Sequence, residues 1–178
     1  MSLGSIIGQH SNNNKMRDQV SIARIETLHP KYRLKFQHFI EDAEKTLNTT
    51  FRVAQAFRTF DQQQAIYNQP WDHKDNDLDG KVDESDERVT SAPAGKSFHN
   101  YGGAVDLVEM KNGKPNWKFD YKLLAPIAVR HGLEWGGLWK GKSNDQPHFQ
   151  IPGLDIKKLY KEFLAKNFIP GTQYLKNL

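Results

Sequence analysis

The chain has no cysteine among its 178 residues. Disulfides and thiolate metal sites are therefore excluded, and any metal centre has to be assembled from histidine and carboxylate side chains. Nor is there an apolar run near the ~20 residues of a membrane helix, so membrane insertion is not expected. Residues 1–14 lack the apolar stretch of a secretory leader. Residues 1–18, which include Asn12-Asn13-Asn14, are expected to be a flexible arm or the remnant of a tag. No aromatic-and-basic module of the kind that binds nucleic acid is present. The charged and apolar fractions, 26% and 37%, are those of an ordinary globular protein. The expectation is one domain over 19–178, long enough to bury a core and acting as a monomer.

The net charge of +4 conceals a division. Residues 72–87 hold eight acids against two lysines, a net of −6, so the remainder of the chain carries +10. A basic body suits an anionic polymer. The acidic stretch follows the pattern of a calcium loop. Asp75, Asp77 and Asp79 occupy positions one, three and five, Gly80 allows the turn at six, and Lys81 offers a carbonyl at seven. Val82 can anchor the loop at eight, and Asp83 and Asp86 take positions nine and twelve. An EF hand prefers glutamate at twelve, and the flanks at Pro70-Trp71 and Val89-Thr90 do not read as helices. Carboxylates this crowded repel one another without a cation. We expect a calcium-loop insertion over about 70–94, folded as a flap beside the functional cleft.

Outside the insertion the periodicity is clear. Tyr32, Phe36, Phe39, Ile40, Ala43 and Leu47 recur at helical spacing, with Pro30 in the first turn. His29 and His38 read as surface or capping residues. Phe51 to Phe57 reads as a strand that delivers Arg58, and Thr59 with Gln62 forms a capping box for a helix to about Asn68. Ala104 to Glu109 reads as a strand with Ala104, Asp106 and Val108 on one face. Asn112-Gly113 signals a hairpin. Asp120 caps a helix that Gly132 stops, with His131 in its last turn as a partner for the dipole. Leu133 to Trp139 and His148 to Ile151 read as paired strands, and a last helix starts near Asp155.

Two stretches carry chemistry. Ser97-Phe98-His99-Asn100-Tyr101-Gly102-Gly103-Ala104-Val105-Asp106 sets a histidine and an aspartate around paired glycines, which can fold His99 back towards Asp106. Asp145-Gln146-Pro147-His148 answers it some forty residues later. Two imidazoles and two carboxylates result. Three suffice to hold zinc with a fourth position open to water, and the remaining group can act as a base.

The pattern S-x-H-x-x-G-x-A-x-D followed by D-x-P-H resembles the zinc peptidases of the D-Ala-D-Ala carboxypeptidase superfamily, which also contains a hedgehog signalling domain. With Trp135-Gly136-Gly137 upstream, it is most similar to the L-alanyl-D-glutamate peptidase branch, which includes endolysins. The likeness runs from about Ile22 to Ile151. It implies an α+β fold, a small antiparallel sheet carrying the zinc site with flanking helices. It implies His99, Asp106 and His148 as zinc ligands and Asp145 as general base, later acid. Arg58 would hold a substrate carboxylate or stabilise the oxyanion, with Ser97 and Trp135 beside the substrate. The implied activity is hydrolysis of peptidoglycan stem peptides at the L-Ala-D-Glu bond, at the cell wall or periplasm, by a protein that is phage-delivered or has lost its signal. D-Ala-D-Ala cleavage and a non-catalytic hedgehog-like binding module are the alternatives.

Overall fold

The structure, a computed structural model, describes residues 18–83 and 85–178. The arm expected at 1–18 thus lies outside the described residues except for Asp18, which is a helix cap. Its side chain accepts from Ser21 N–H and starts α1, Gln19–Glu26, a helix the sequence reading does not anticipate. The same carboxylate takes both forks of Arg52 at 2.7 and 3.0 Å, tying α1 to the first strand.

Helix α2, Arg33–Leu47, buries Phe36, Phe39, Ile40 and Ala43, the stripe its spacing predicts, and ends at left-handed Asn48. Pro30 lies ahead of it, in a turn closed by Tyr32 N–H on His29 O, rather than in its first turn. Strand β1, Thr50–Gln55, leads to α3, Phe60–Asn68, whose reciprocal Thr59/Gln62 capping box is formed. β2, Ala104–Lys111, and β3, Lys114–Asn116, make the expected hairpin, with Asn112 and Gly113 both at positive φ. Asp120 caps a 3-10 turn at Tyr121–Leu124 that runs into α4, Ala125–Arg130. The strand expected from Leu133 to Trp139 is only β4, Glu134–Trp135, because the chain tightens into a 3-10 turn at Gly136–Leu138. β5, His148–Gln150, and α5, Ile156–Leu164, capped by Asp155, complete the described elements.

The sheet is antiparallel throughout, in the order β1-β2-β5-β4, with β3 paired to β2. This is the expected α+β architecture. Val105, Phe149 and Trp135 lie in neighbouring strands, opposite one another in register, and join the core beneath α2, where Phe39 meets the Phe149 ring at 4.9 Å. Each fully buried side chain of this kind contributes about 1.5–3 kcal/mol. Side chains alternate along a strand, so the neighbouring set, Asp106, His148, Gln150 and Glu134, shares the opposite face. That face carries the site.

His29 departs from its expected surface position. It is 4% exposed, with Nε2–H donating to Leu175 O at 2.9 Å and Nδ1 accepting from Lys31 N–H. It fastens the C-terminal segment, in which Leu175 and Leu178 are buried, to the start of α2. His38 is exposed as expected, and His131 ends α4 and pairs with Asp42 at 2.9 Å.

Candidate metal centre and its cleft

Asp106 and His148 stand directly opposite one another in the β2–β5 ladder. Residues so placed project onto one face with their Cβ atoms about 5 Å apart. His99 reaches them from a 3-10 turn, Phe98–Tyr101, whose cap Ser97 accepts from His99 N–H. Gly102 closes that turn at φ +68°, and a side chain there would meet His29 N at 2.4 Å. The pairing of β1 with β2 slips by one residue between Val53 and Gln55, a bulge that redirects the strand's exit. Ala56 O then accepts from His99 Nδ1–H at 2.6 Å, and Arg58 N–H donates to His99 O at 3.1 Å. Buried Asn100 adds donations to the carbonyls of Arg58 and Thr59.

His99 Nε2, His148 Nδ1 and Asp106 Oδ1 form a triangle with edges of 3.2, 3.0 and 3.2 Å. Ligands of tetrahedral zinc are about 3.3 Å apart. The outer hydrogen bonds decide which atoms face inward. Since a carbonyl only accepts, His99 Nδ1 carries the proton and Nε2 presents a lone pair. Glu134 Oε2 accepts from Gln150 Nε2 at 3.2 Å, so the Gln150 amide turns its oxygen to His148, which donates from Nε2 at 3.0 Å. His148 Nδ1 therefore also presents a lone pair. Two lone pairs and a carboxylate oxygen point at one another, an arrangement that attracts a cation and fits zinc.

The charges agree with this reading. Burial keeps the His99 imidazole below its ordinary value. Burial works against ionising Asp106, but the two imidazoles outweigh it and hold the carboxyl well below the usual range. Burial also opposes charging His148, yet the Asp106 carboxylate beside its Nδ1 raises its affinity for a proton, the same pull that the site would exert on a metal cation. Burial and the neighbouring Asp106 charge raise Asp145, with His148 and Arg58 partly opposing them.

Asp145 is presented by a turn closed by His148 N–H on its carbonyl at 3.3 Å, as the short spacing to His148 predicts. Trp135-Gly136-Gly137 shapes that turn. Asp145 N–H donates to Gly136 O, Trp135 Nε1–H donates to Gln146 O at 2.7 Å, and a Cβ on Gly136 would meet Asp145 O at 2.6 Å. Trp135 is 6% exposed and belongs to the core, so its expected place beside the substrate is not borne out. The tryptophan lining the cleft is Trp139, whose Nε1–H donates to Glu134 Oε1 at 2.7 Å. Glu134 thus supports both the cleft wall and, through Gln150, the tautomer of His148.

The cleft, about 550 Å³, is lined by Arg58, Ser97, His99, Trp139, Asp145 and His148 among others. The guanidinium of Arg58 is largely sunk in it, and burial lowers its proton affinity while Asp106 and Asp145 support its charge. Its Nε has no hydrogen-bond partner among the described residues. Residues 88–92 of the insertion form another wall, so the nearness expected of this flap is observed. Buried Gln63 lashes it to α3 by donating to Ala92 O at 2.7 Å and Thr90 Oγ1 at 3.4 Å.

The acidic loop differs from its expected register. Oxygens of Asp75, Asp77 and Glu87 lie within 4.8 Å of one another. Asp79, Asp83 and Asp86 are not in that group. Asp79 accepts from Lys81 N–H and Asp83 from His73 N–H and Nδ1–H. Val82 is 53% exposed and anchors nothing. Glu87, one residue past the expected position twelve, is 3% exposed and accepts from Asn76 N–H. Gln150, Glu134, Asn100 and Trp139 also escape a reading by motif. The one available signal was a polar Gln150 two residues after His148, where alternation places it on the ligand face.

Residues 90–151 match the family described as D-alanyl-D-alanine carboxypeptidase. A curated relative, the peptidoglycan L-alanyl-D-glutamate endopeptidase CwlK of Bacillus subtilis (strain 168), is 33% identical over 110 residues, 56% of this chain and 59% of CwlK. The chain thus spans less than two thirds of that relative. Among solved structures, the L-Ala D-Glu endopeptidase ChiX of Serratia marcescens superposes with a TM-score of 0.52 at 24% identity, over 79% of this chain and 93% of ChiX. A Zn(II)-bound variant of the vancomycin resistance D,D-pentapeptidase VanY gives 0.53 at 19% identity, over 76% and 79%. These two likenesses establish a shared fold.

Proposed function

We propose, from the match of residues 90–151 to the family described as D-alanyl-D-alanine carboxypeptidase and the likeness to CwlK, zinc-dependent hydrolysis of the peptidoglycan stem peptide between L-alanine and D-glutamate. The observation that carries the reading is convergence. His99 and His148 of the lone-pair triangle line the cleft, Asp106 lines the hollow beside it, and the carboxylate of Asp145 and the guanidinium of Arg58 border both.

His99, Asp106 and His148 would hold the ion, which when bound supplies an acidified water and polarises the scissile carbonyl. Asp145, its proton affinity raised by burial, takes the proton of the attacking water and returns it to the leaving amine. Arg58 holds a carboxylate of the substrate. Stem-peptide glutamate continues through its γ-carboxyl, so a free α-carboxylate lies one carbon from the scissile nitrogen, within reach of such a guanidinium. The same chemistry suits a terminal D-Ala-D-Ala, which makes that bond the alternative. Ser97 supports the His99 turn by accepting the His99 backbone N–H at its side-chain oxygen. The protein would work as a monomer at the cell wall or in the periplasm. In the acidic insertion we propose a calcium ion held by Asp75, Asp77 and Glu87, whose oxygens already converge.

Mass spectrometry of purified muropeptides, with zinc present and calcium varied, tests the reading. A new L-alanine carboxyl end on the glycan fragment and a D-glutamate amino end on the released peptide are expected. Loss of terminal D-alanine would move the activity to the carboxypeptidase bond. Intact muropeptides from folded, zinc-loaded protein would leave only a binding module.

A further inference from the structure

We infer that Arg88 and Lys96 form a second anion subsite in the cleft, which recognises a carboxylate on the residue after D-glutamate. The preferred substrate is then a stem peptide whose third residue is an acidic diamino acid rather than lysine. The inference rests on the peptidase reading above and specifies its substrate.

The cleft wall carries three cationic side chains, Arg58, Arg88 and Lys96, and one carboxylate, Asp145, apart from the ligand set. Some cations of the chain are matched to acids, as in Arg33–Glu26, Arg52–Asp18 and Arg130–Asp42. Among the described residues, Arg88 and Lys96 have no such partner. Each rests on an aromatic ring instead. The Arg88 guanidinium lies 5.0 Å from the Trp71 centroid, and Lys96 Nζ lies 5.0 Å from that of Tyr160. A ring face holds a cation in place without neutralising it or occupying its N–H donors. Positive charges gathered in one cleft repel one another until an anion arrives.

Position argues for a carboxylate distinct from the one beside the scissile bond. Arg58 is sunk in the cleft near Asp106 and Asp145 and serves the reacting end. Arg88 and Lys96 are exposed at the rim. Lys96 directly precedes Ser97, the cap of the His99 turn, and Arg88 opens the segment that Gln63 lashes down. On this inference a γ-linked peptide leaving the reacting centre runs towards these two cations, and the carboxylate it brings to them is on its third residue.

The test compares two synthetic peptides, L-Ala-γ-D-Glu-meso-diaminopimelate and L-Ala-γ-D-Glu-L-Lys, which differ by one carboxylate. The expected preference for the first is about tenfold in kcat/KM, carried mainly by KM, as for one charge-assisted hydrogen bond. Amidating that carboxylate should remove the preference on the unaltered protein. Arg88→Gln and Lys96→Gln should each shrink the ratio, the double change should bring it to about one, and Arg88→Lys with Lys96→Arg should restore most of it. A ratio near one in the unaltered protein, or a ratio that survives amidation, overturns the inference while cleavage of both peptides keeps the peptidase reading intact. Equal salt sensitivity of both peptides without preference reduces the two cations to long-range steering and overturns it as well. If neither peptide is cut by zinc-loaded protein, the peptidase reading fails and takes the inference with it.

Discussion

The ligand end of the sheet and the acidic insertion dispose of their charge in opposite ways. At the sheet, β2 and β5 fix Asp106 and His148 across from one another, and the outer nitrogen of each imidazole is committed to a protein acceptor. The inner atoms have no one to turn to but each other and a cation. In the insertion the carboxylates turn back on their own loop. Asp75 accepts from the N–H groups of Asp79 and Gly80, Asp79 from Lys81, and Asp83 from His73. Regular pairing leaves a donor set nowhere to relax, whereas a loop lets acids satisfy themselves locally. The first region is therefore built to attract a cation, whereas the second can hold its conformation through its own hydrogen bonds.

This contrast can be broken most severely at Asp145. Asp145→Asn should lower kcat by about 10²–10⁴-fold while zinc content by elemental analysis is unchanged. Because the folded pKa of Asp145 is raised, activity should climb with pH through an acid limb lying above the ordinary carboxylate range. A limb at or below that range would remove Asp145 as the base. Next in size is Glu134→Ala, which frees the Gln150 amide to turn its nitrogen to His148. Zinc affinity by chelator competition should fall about 10–100-fold, and an unchanged affinity would show that the sheet alone fixes the tautomer.

Smaller effects belong to the insertion. Glu87→Ala should abolish the gain in melting temperature that calcium gives over chelator, whereas Asp83→Ala should keep it. The reverse result would restore the loop register read from sequence. The smallest expected effect lies away from both regions. His131 and Arg130 lower Asp42 from 3.8 to about 2. A depressed carboxyl stabilises the fold above its unfolded pKa, so this contribution is complete above 3.8 and lost as pH falls towards about 2. Thermal melts of Asp42→Asn should differ from the unaltered protein by about 0.5 kcal/mol near neutrality and converge with it at the acid end.

Legibility followed the same division. Helix α2, the hairpin at Asn112-Gly113 and the capping box at Thr59 and Gln62 were readable because short-range patterns determine them. His99, Asp106, His148 and the turn at Asp145 were readable because two ordered motifs sit on adjacent strands. Glu134 and Gln150 were not, since their partnership depends on β4 lying beside β5, which spacing does not state. Glu87 was missed because a loop one residue out of register looks the same in sequence. Trp139 rather than Trp135 lines the cleft because the strand expected to run from Leu133 to Trp139 breaks at Gly136.

That break has a consequence for mutational tolerance. Gly136 and Gly137 do not adopt positive φ, so any residue could take their backbone conformation. Yet a Cβ at Gly137 would sit 2.1 Å from the Trp135 ring, and one at Gly136 would press on Asp145 O. The pair acts as a volume lock: alanine, the mildest change available, would push the indole off Gln146 or displace the turn that presents Asp145. A saturation library should find these two sites among the least forgiving in the chain, although nothing in their dihedral angles marks them out.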